Sequence, residues 1–162
     1  MSPNVDDPAD PARRGLTYRG PSRDRVVASS SAASELMSRV GRRDTKPELE
    51  LRRILHARGL RFRVDRAVLP DRRRRADIVF GPAKVAVFVD GCFWHGCPTH
   101  ATWPKANEDY WKEKIETNRL RDRDTDERLR ALGWEPVRVW EHEDAVTAAD
   151  RLEKIVSNRR GT

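Results

Sequence analysis

Two apolar runs, Asp77-Ile78-Val79-Phe80 and Val85-Ala86-Val87-Phe88-Val89, stand on either side of Gly81-Pro82-Ala83-Lys84. Runs this short and this free of polar residues suit strands covered on both faces. A four-residue connection containing Gly suits a hairpin. The chain must therefore build the inside of a sheet here, and its other segments must cover it. Leu60, Phe62 and Val64 alternate with Arg61, Arg63 and Asp65, the period of a strand with one buried face. Before it, Thr45-Lys46-Pro47-Glu48 has the spacing of a capping box with Pro near the first helical position, and Leu51, Ile54 and Leu55 give that helix an apolar face ending before Gly59. Residues 108–132 read as one long helix, with Asn107 as its cap and Gly133 just past its end. Trp134 to Trp140 reads as a fourth strand, and Ala145 to Ser157, with Val146, Ala149, Leu152 and Ile155, as a closing amphipathic helix. This order predicts an α/β fold, a mixed sheet flanked by helices. The hairpin strands are antiparallel, and the fourth strand, reached through a long helix, can return parallel.

A length of 162 residues argues for one domain. Lys and Arg number 33 against 26 Asp and Glu, a net charge of +7, which points to a polyanionic partner, with nucleic acid ahead of an anionic membrane surface. No apolar stretch is long enough to span a membrane and the N-terminus has no signal-peptide core, so a soluble, cytoplasmic protein is expected. Residues 1–30 hold four of the ten prolines and read as a disordered, solvated arm preceding a domain over 31–162, with a short helix expected over 32–40. A monomer is the default expectation.

The candidate chemistry gathers after the hairpin. Asp77 opens an apolar strand, where an ionised carboxylate needs a cation or donors, and Mg²⁺ would supply the first. Asp90 ends the neighbouring strand, so the two carboxylates can approach one end of the sheet, an arrangement suited to metal-assisted phosphodiester hydrolysis. Cys92, Cys97, His100 and His142 offer two sulfurs and two imidazoles, enough for a tetrahedral Zn²⁺ site, with His95 left over as a candidate general base. Spacing alone leaves open the converse, with His95 on zinc and His100 free. The apolar stripe of the long helix, Trp111, Ile115, Leu129, Leu132, is broken by Asn118 and Asp122, so either something polar meets them or they lie at its solvated edge. Phe93, Trp94 and Trp111 are either core or aromatics able to stack on bases. The run Arg72-Arg73-Arg74-Arg75 is either a solvated turn or a phosphate-contacting segment at the mouth of the site.

Asp90-Gly91-Cys92-Phe93-Trp94-His95-Gly96-Cys97-Pro98, together with Tyr110-Trp111, Asn118, Arg121-Asp122 and Val139-Trp140-Glu141, resembles the very-short-patch-repair (Vsr) DNA mismatch endonucleases over roughly residues 33–143. The resemblance implies a restriction-endonuclease-like (PD-(D/E)xK-type) fold with a structural zinc. It also implies Mg²⁺-dependent nicking of double-stranded DNA beside a T:G mismatch left by deamination of 5-methylcytosine, with downstream repair proteins as further partners. Carried over by position, Asp77 and the main-chain carbonyl of Val89 would bind Mg²⁺, His95 would activate water and Asp122 would orient His95. Glu48 matches an acidic residue near the site. Phe93, Trp94 and Trp111 would intercalate, Lys114 and Asn118 would face DNA, and Cys92, Cys97, His100 and His142 would hold zinc. The chain departs from the family pattern at Asp71 and Ala76, where Gly and Pro usually precede the metal-binding Asp, and at Asp90, where some members carry His. Two other readings remain: a restriction-type endonuclease on matched DNA, and a non-catalytic zinc module that binds DNA.

Overall fold

The two apolar runs become the interior strands of a four-stranded sheet. In the computed structural model, which describes residues 44–100 and 108–161, helix α1 (Lys46–Ala57) is followed by β1 (Arg63–Ala67), β2 (Arg75–Phe80), β3 (Val85–Asp90), helix α2 (Glu108–Ala131), β4 (Glu135–Trp140) and helix α3 (Ala145–Arg160). The arm expected over 1–30, the helix expected over 32–40 and the expected Asn107 cap lie outside the described residues. The strand order is β1-β2-β3-β4, with the first two pairings antiparallel and β3 parallel to β4. In the hairpin, Phe80 pairs with Val85 and Ile78 with Val87, across a turn closed by Lys84 N–H on Gly81 O at 3.0 Å.

Alternation distributes the side chains. Ile78, Phe80, Val85, Val87, Val137 and Val139 pack on Leu51 and Leu55 of α1 and on Ala148, Ala149, Leu152 and Val156 of α3. The other face is thinner: Val79 and Ala86 meet Leu69, Ala76 and, from α2, Leu129, with Phe88 and Trp134 at its margin. Leu55, Phe80 and Leu152 are fully buried, so truncating any of them to Ala costs about 2–5 kcal/mol. Most of α2 is thus held by something other than apolar packing, and that interaction builds the site.

Two local departures matter for it. Thr45 makes no side-chain cap bond; its hydroxyl donates to Glu48 Oε1 at 3.0 Å, while Glu48 Oε2 accepts from Asp44 N and Arg52 Nη2, each at 3.0 Å. Three donors on one side turn the carboxylate of Glu48 inward, and the residue is only 3% exposed. Strand β1 begins at Arg63 rather than Leu60, because Leu60 N–H closes the end of α1 on Leu55 O at 3.1 Å after the left-handed Gly59 (φ 77).

Candidate active site and metal centre

Asp77 sits where the hairpin ladder stops. The β1–β2 register pairs Val64 with Ile78 and Arg66 with Ala76 and omits the pair between them, Asp65 (φ 48) and Asp77. On its other side the β2–β3 register ends at Ile78↔Val87, and Val89 N–H donates instead to Asp77 Oδ2 at 2.7 Å. Burial pushes the Asp77 carboxyl up to about 6; the Val89 hydrogen bond opposes the rise, the charges of Glu48 and Asp90 add to it and Arg52 reduces it. A buried carboxylate with two acidic neighbours fits a hard divalent cation, which would remove that cost. Arg52 does not fill this role alone, because its guanidinium is already shared between Glu48 at 3.0 Å and Asp44 at 2.5 Å.

His95 lies in the loop after β3. Its Nδ1 is 2.6 Å from Asp122 Oδ2 and 3.7 Å from Asp90 Oδ1. Burial works to lower the imidazole pKa, but the hydrogen bond to Asp122 and the charges of Asp90 and Asp122 outweigh it and raise it. Asp122 is held below the usual carboxylate range: His95 and Arg138 overcome its burial. Asp90 moves the other way, burial lifting it against Arg138 and His95. With Nδ1–H donating to Asp122, Nε2 carries the free lone pair, the arrangement a general base needs. An open cleft of about 440 Å³ adjoins Asp90, His95, Asp122 and Arg138.

Arg138 is the residue that sequence reasoning missed. From the middle of β4 its Nη1 reaches Asp90 at 3.0 and 3.2 Å and Asp122 Oδ1 at 3.2 Å, and its Nη2 and Nε reach Asp126 Oδ1 at 3.0 and 3.2 Å. The guanidinium carbon lies 4.4 Å from the centre of the Phe88 ring. The available signal was an Arg flanked by Val137 and Val139 in the middle of a strand, opposite a helix stripe broken by Asn118 and Asp122.

Helix α2 also fixes the loop backbone. Asn118 Nδ2 donates to Trp94 O at 2.8 Å, Arg119 Nη2 to Gly96 O at 2.6 Å and Arg119 Nε to His95 O at 3.4 Å. Gly96 has φ 61, and a Cβ there would lie 2.7 Å from Ile115 Cγ2 and 2.8 Å from Arg119 Nη2, so only glycine fits against the helix. The polar break in the stripe is therefore a set of loop ligands, which excludes the solvated-edge reading.

The same loop brings Cys92, Cys97, His100 and His142 together, with their ligand atoms all within 4.8 Å of one another. Cys97 Sγ lies 3.7 Å from His142 Nδ1 and 3.8 Å from His100 Nδ1. A tetrahedral zinc at ordinary bond lengths would separate S and N by roughly 3.6 Å; both Cys97 distances match this, while Cys92 Sγ and His142 Nδ1, 3.0 Å apart, would have to open slightly to admit the ion. Burial and the neighbouring Cys97 and Glu141 push Cys92 up to about 11, whereas the backbone N–H groups of Thr99 and His100 and the His100 ring bring Cys97 down to about 7 against its burial. Of the two histidines left open by spacing, His100 joins the sulfurs and His95 joins Asp122.

The family model described as DNA mismatch endonuclease Vsr matches residues 26–100. The chain is 49% identical over 112 residues to the type II nicking enzyme V.NaeI of Lentzea aerocolonigenes, covering 66% of this chain and 68% of the relative. It is 43% identical over 109 residues to V.XorIIP of Xanthomonas oryzae pv. oryzae, covering 67% and 78%. With the DNA mismatch endonuclease Vsr of Escherichia coli it shares 37% identity over 116 residues, covering 71% and 72%. The chain belongs to the Vsr family. It is a Vsr-family endonuclease, and endonucleases of this family act on DNA.

In this Vsr-family chain the aromatics form one cluster: Phe93 to Trp94, Phe93 to Trp111 and Trp94 to Trp111 have ring centres 5.2, 5.3 and 5.9 Å apart, all edge-on, and Tyr110 adds a fourth ring 5.3 Å from Trp111. All four are half-buried. Three expected DNA contacts are otherwise engaged. Asn118 is spent on the Trp94 carbonyl, and the Arg run divides: Arg74 bonds Asp124 and Thr125 Oγ1 of α2, Arg75 bonds Asp65, and Arg72 and Arg73 stay exposed without a side-chain partner among the described residues. Internal carboxylates compete successfully for two of the four guanidinium groups. The Lys114 side chain is half-buried and likewise forms no ion pair among the described residues. No helix among the described residues is long and apolar enough to cross a membrane.

Proposed function

We propose that this protein nicks one strand of duplex DNA beside a T:G mismatch by Mg²⁺-dependent phosphodiester hydrolysis, on a restriction-endonuclease-like (PD-(D/E)xK-type) scaffold. The observation that carries the proposal is the His95–Asp122 contact at 2.6 Å, on the sheet end that also carries Asp77. Asp77 and the main-chain carbonyl of Val89 would hold Mg²⁺, with Glu48 as a buried acidic neighbour. Bound there, Mg²⁺ supplies Lewis-acid stabilisation of charge on the phosphate and on the departing 3′ oxygen. Asp122 fixes the imidazole so that Nε2 of His95 accepts the proton of the attacking water, and the products are a 5′-phosphate and a 3′-hydroxyl. Phe93, Trp94 and Trp111 wedge into the base stack, which a mispaired step resists less than a matched one. Arg72, Arg73 and Lys114 contact phosphates. Zn²⁺ on Cys92, Cys97, His100 and His142 holds the loop that carries His95 and the aromatics; its role is structural.

The naming of several relatives as type II nicking enzymes supports cutting of one strand. The test is a strand-resolved assay on end-labelled duplexes, T:G-mismatched and fully paired, in Mg²⁺ and in EDTA, across several flanking sequences. Mg²⁺-dependent cutting confined to the T strand of mismatched duplexes is expected. Cutting of both strands in paired DNA would replace this reading with a restriction activity, and salt-sensitive binding without cutting would replace it with a binding module.

A further inference from the structure

We infer that Arg138 is a positioning residue that decides which of two competing acids, Asp122 or Asp90, orients the imidazole of His95; this rests on the reading of His95 as the base. Nδ1 of His95 has a carboxylate oxygen on each side, Asp122 Oδ2 at 2.6 Å and Asp90 Oδ1 at 3.7 Å. The two acids come from different elements, α2 and β3, so the ring would face differently under each. Arg138 treats them unequally. Its Nη1 engages both oxygens of Asp90, at 3.0 and 3.2 Å, but only Oδ1 of Asp122, at 3.2 Å, which leaves Asp122 Oδ2 for the imidazole.

The guanidinium is itself fixed. Nη2 donates to the main-chain carbonyl of Asp122 at 3.3 Å and to Asp126 Oδ1 at 3.0 Å, Nε donates to Asp126 Oδ1 at 3.2 Å, and the group lies 4.4 Å over Phe88. A planar fork bound on three sides cannot follow one acid away from the other, which a lysine ammonium could. Without Arg138, Asp90 is released beside Nδ1, and a ring drawn toward β3 carries Nε2 away from its working direction; a misplacement of about 1 Å is enough to cost a large rate factor. Asp126 shares the guanidinium, yet has no contact with His95, and so separates selection from simple charge balance.

The test uses the full chain with Arg138→Gln, alone and combined with Asp90→Asn or Asp126→Asn. It measures single-turnover nicking of a saturating T:G duplex in Mg²⁺, duplex Kd, and the NMR signal of the His95 Nδ1–H proton. Arg138→Gln is expected to slow nicking about 10- to 100-fold at unchanged Kd and to shift the Nδ1–H signal. Asp90→Asn added to it should recover about 5-fold or more and restore the signal, while Asp126→Asn should recover neither. Equal recovery by the two second changes would show that Arg138 only balances charge and would overturn the inference. If Arg138→Gln does not fold, Arg138→Lys is put through the same series with the same pattern required. The proton signal separates the two claims: a wild-type protein that leaves T:G duplexes uncut overturns the proposed function, whereas an Nδ1–H signal unmoved by loss of Arg138 overturns this inference.

Discussion

The Asp77 carboxylate accepts the main-chain N–H of Val89 at 2.7 Å, so a side chain continues a pairing that the β2 backbone gives up after Ile78↔Val87. The bond holds Asp77 against the end of β3 and also buries a charge there. The chain tolerates a destabilising group at that point, as functional sites commonly do.

Asp77→Asn should therefore abolish nicking while stabilising the metal-free fold. The carboxyl rises from 3.8 to about 6 on folding. A raised acid pKa means that the folded state binds the proton more tightly, so the penalty is absent below 3.8, grows between the two values and is complete above about 6. The amide keeps an oxygen for Val89 N–H and carries no charge. Thermal melts in EDTA should show a gain on the order of 1–3 kcal/mol at pH 8 that shrinks toward pH 4. A variant less stable than wild type at pH 8 would contradict the burial argument.

Zinc should be found at one ion per chain and should govern the loop. Chelation, or Cys97→Ala, is expected to lower the melting temperature and to loosen the packing of Trp94 and Trp111, read by fluorescence, because the loop from Cys92 to Cys97 contains no helix or strand of its own. Metal analysis that finds none, with an unchanged melting curve, would remove zinc from the structure.

Gly96→Ala should damage the site without touching a functional side chain. The added methyl meets Ile115 and Arg119 at 2.7 and 2.8 Å in a left-handed backbone, so the loop must lift off α2. A stability loss of about 1–3 kcal/mol is expected, together with slower nicking. Gly81→Ala, where a Cβ meets nothing within 4 Å, is the control and should be close to wild type.

The arginine run should separate into two classes. Arg72→Ala and Arg73→Ala are expected to weaken duplex binding and each to reduce the slope of log K against log salt by about 1. Arg74→Ala should act mainly through stability, because its guanidinium joins Asp124 and Thr125 of α2. Salt titrations of binding and melting curves on the same three variants distinguish the classes.

The strand and helix order was legible because each element carries its own period: two for the residues around Phe62, near-continuous apolar for β2 and β3, and 3.6 for α1 and α3. The parallel return of β4 follows from the length of α2. Cys92 and Cys97 were legible as a pair from local spacing, but the choice of His100 over His95 was not, since each stands within three residues of a cysteine; the grouping of His100 and His142 with the two sulfurs is visible only in the fold. The Arg138 hub was not legible either, since a lone Arg in a strand looks like an exposed residue until β4 is set opposite Asp122 and Asp126. Nor was the role of Asn118, whose side chain reads the same whether it meets DNA or the Trp94 carbonyl. Glu48 was placed correctly on α1 by its capping spacing, but its inward turn depends on Arg52 and on the left-handed Asp44 (φ 57), which no local pattern announces.

The most direct measurement is the single-turnover rate of T-strand cutting on a T:G duplex by wild-type protein and by His95→Ala, compared at equal duplex occupancy in Mg²⁺. A loss of ~10² or more with unchanged Kd is expected of a general base. A His95→Ala rate within a few-fold of wild type would contradict the assignment of proton transfer to the His95–Asp122 pair.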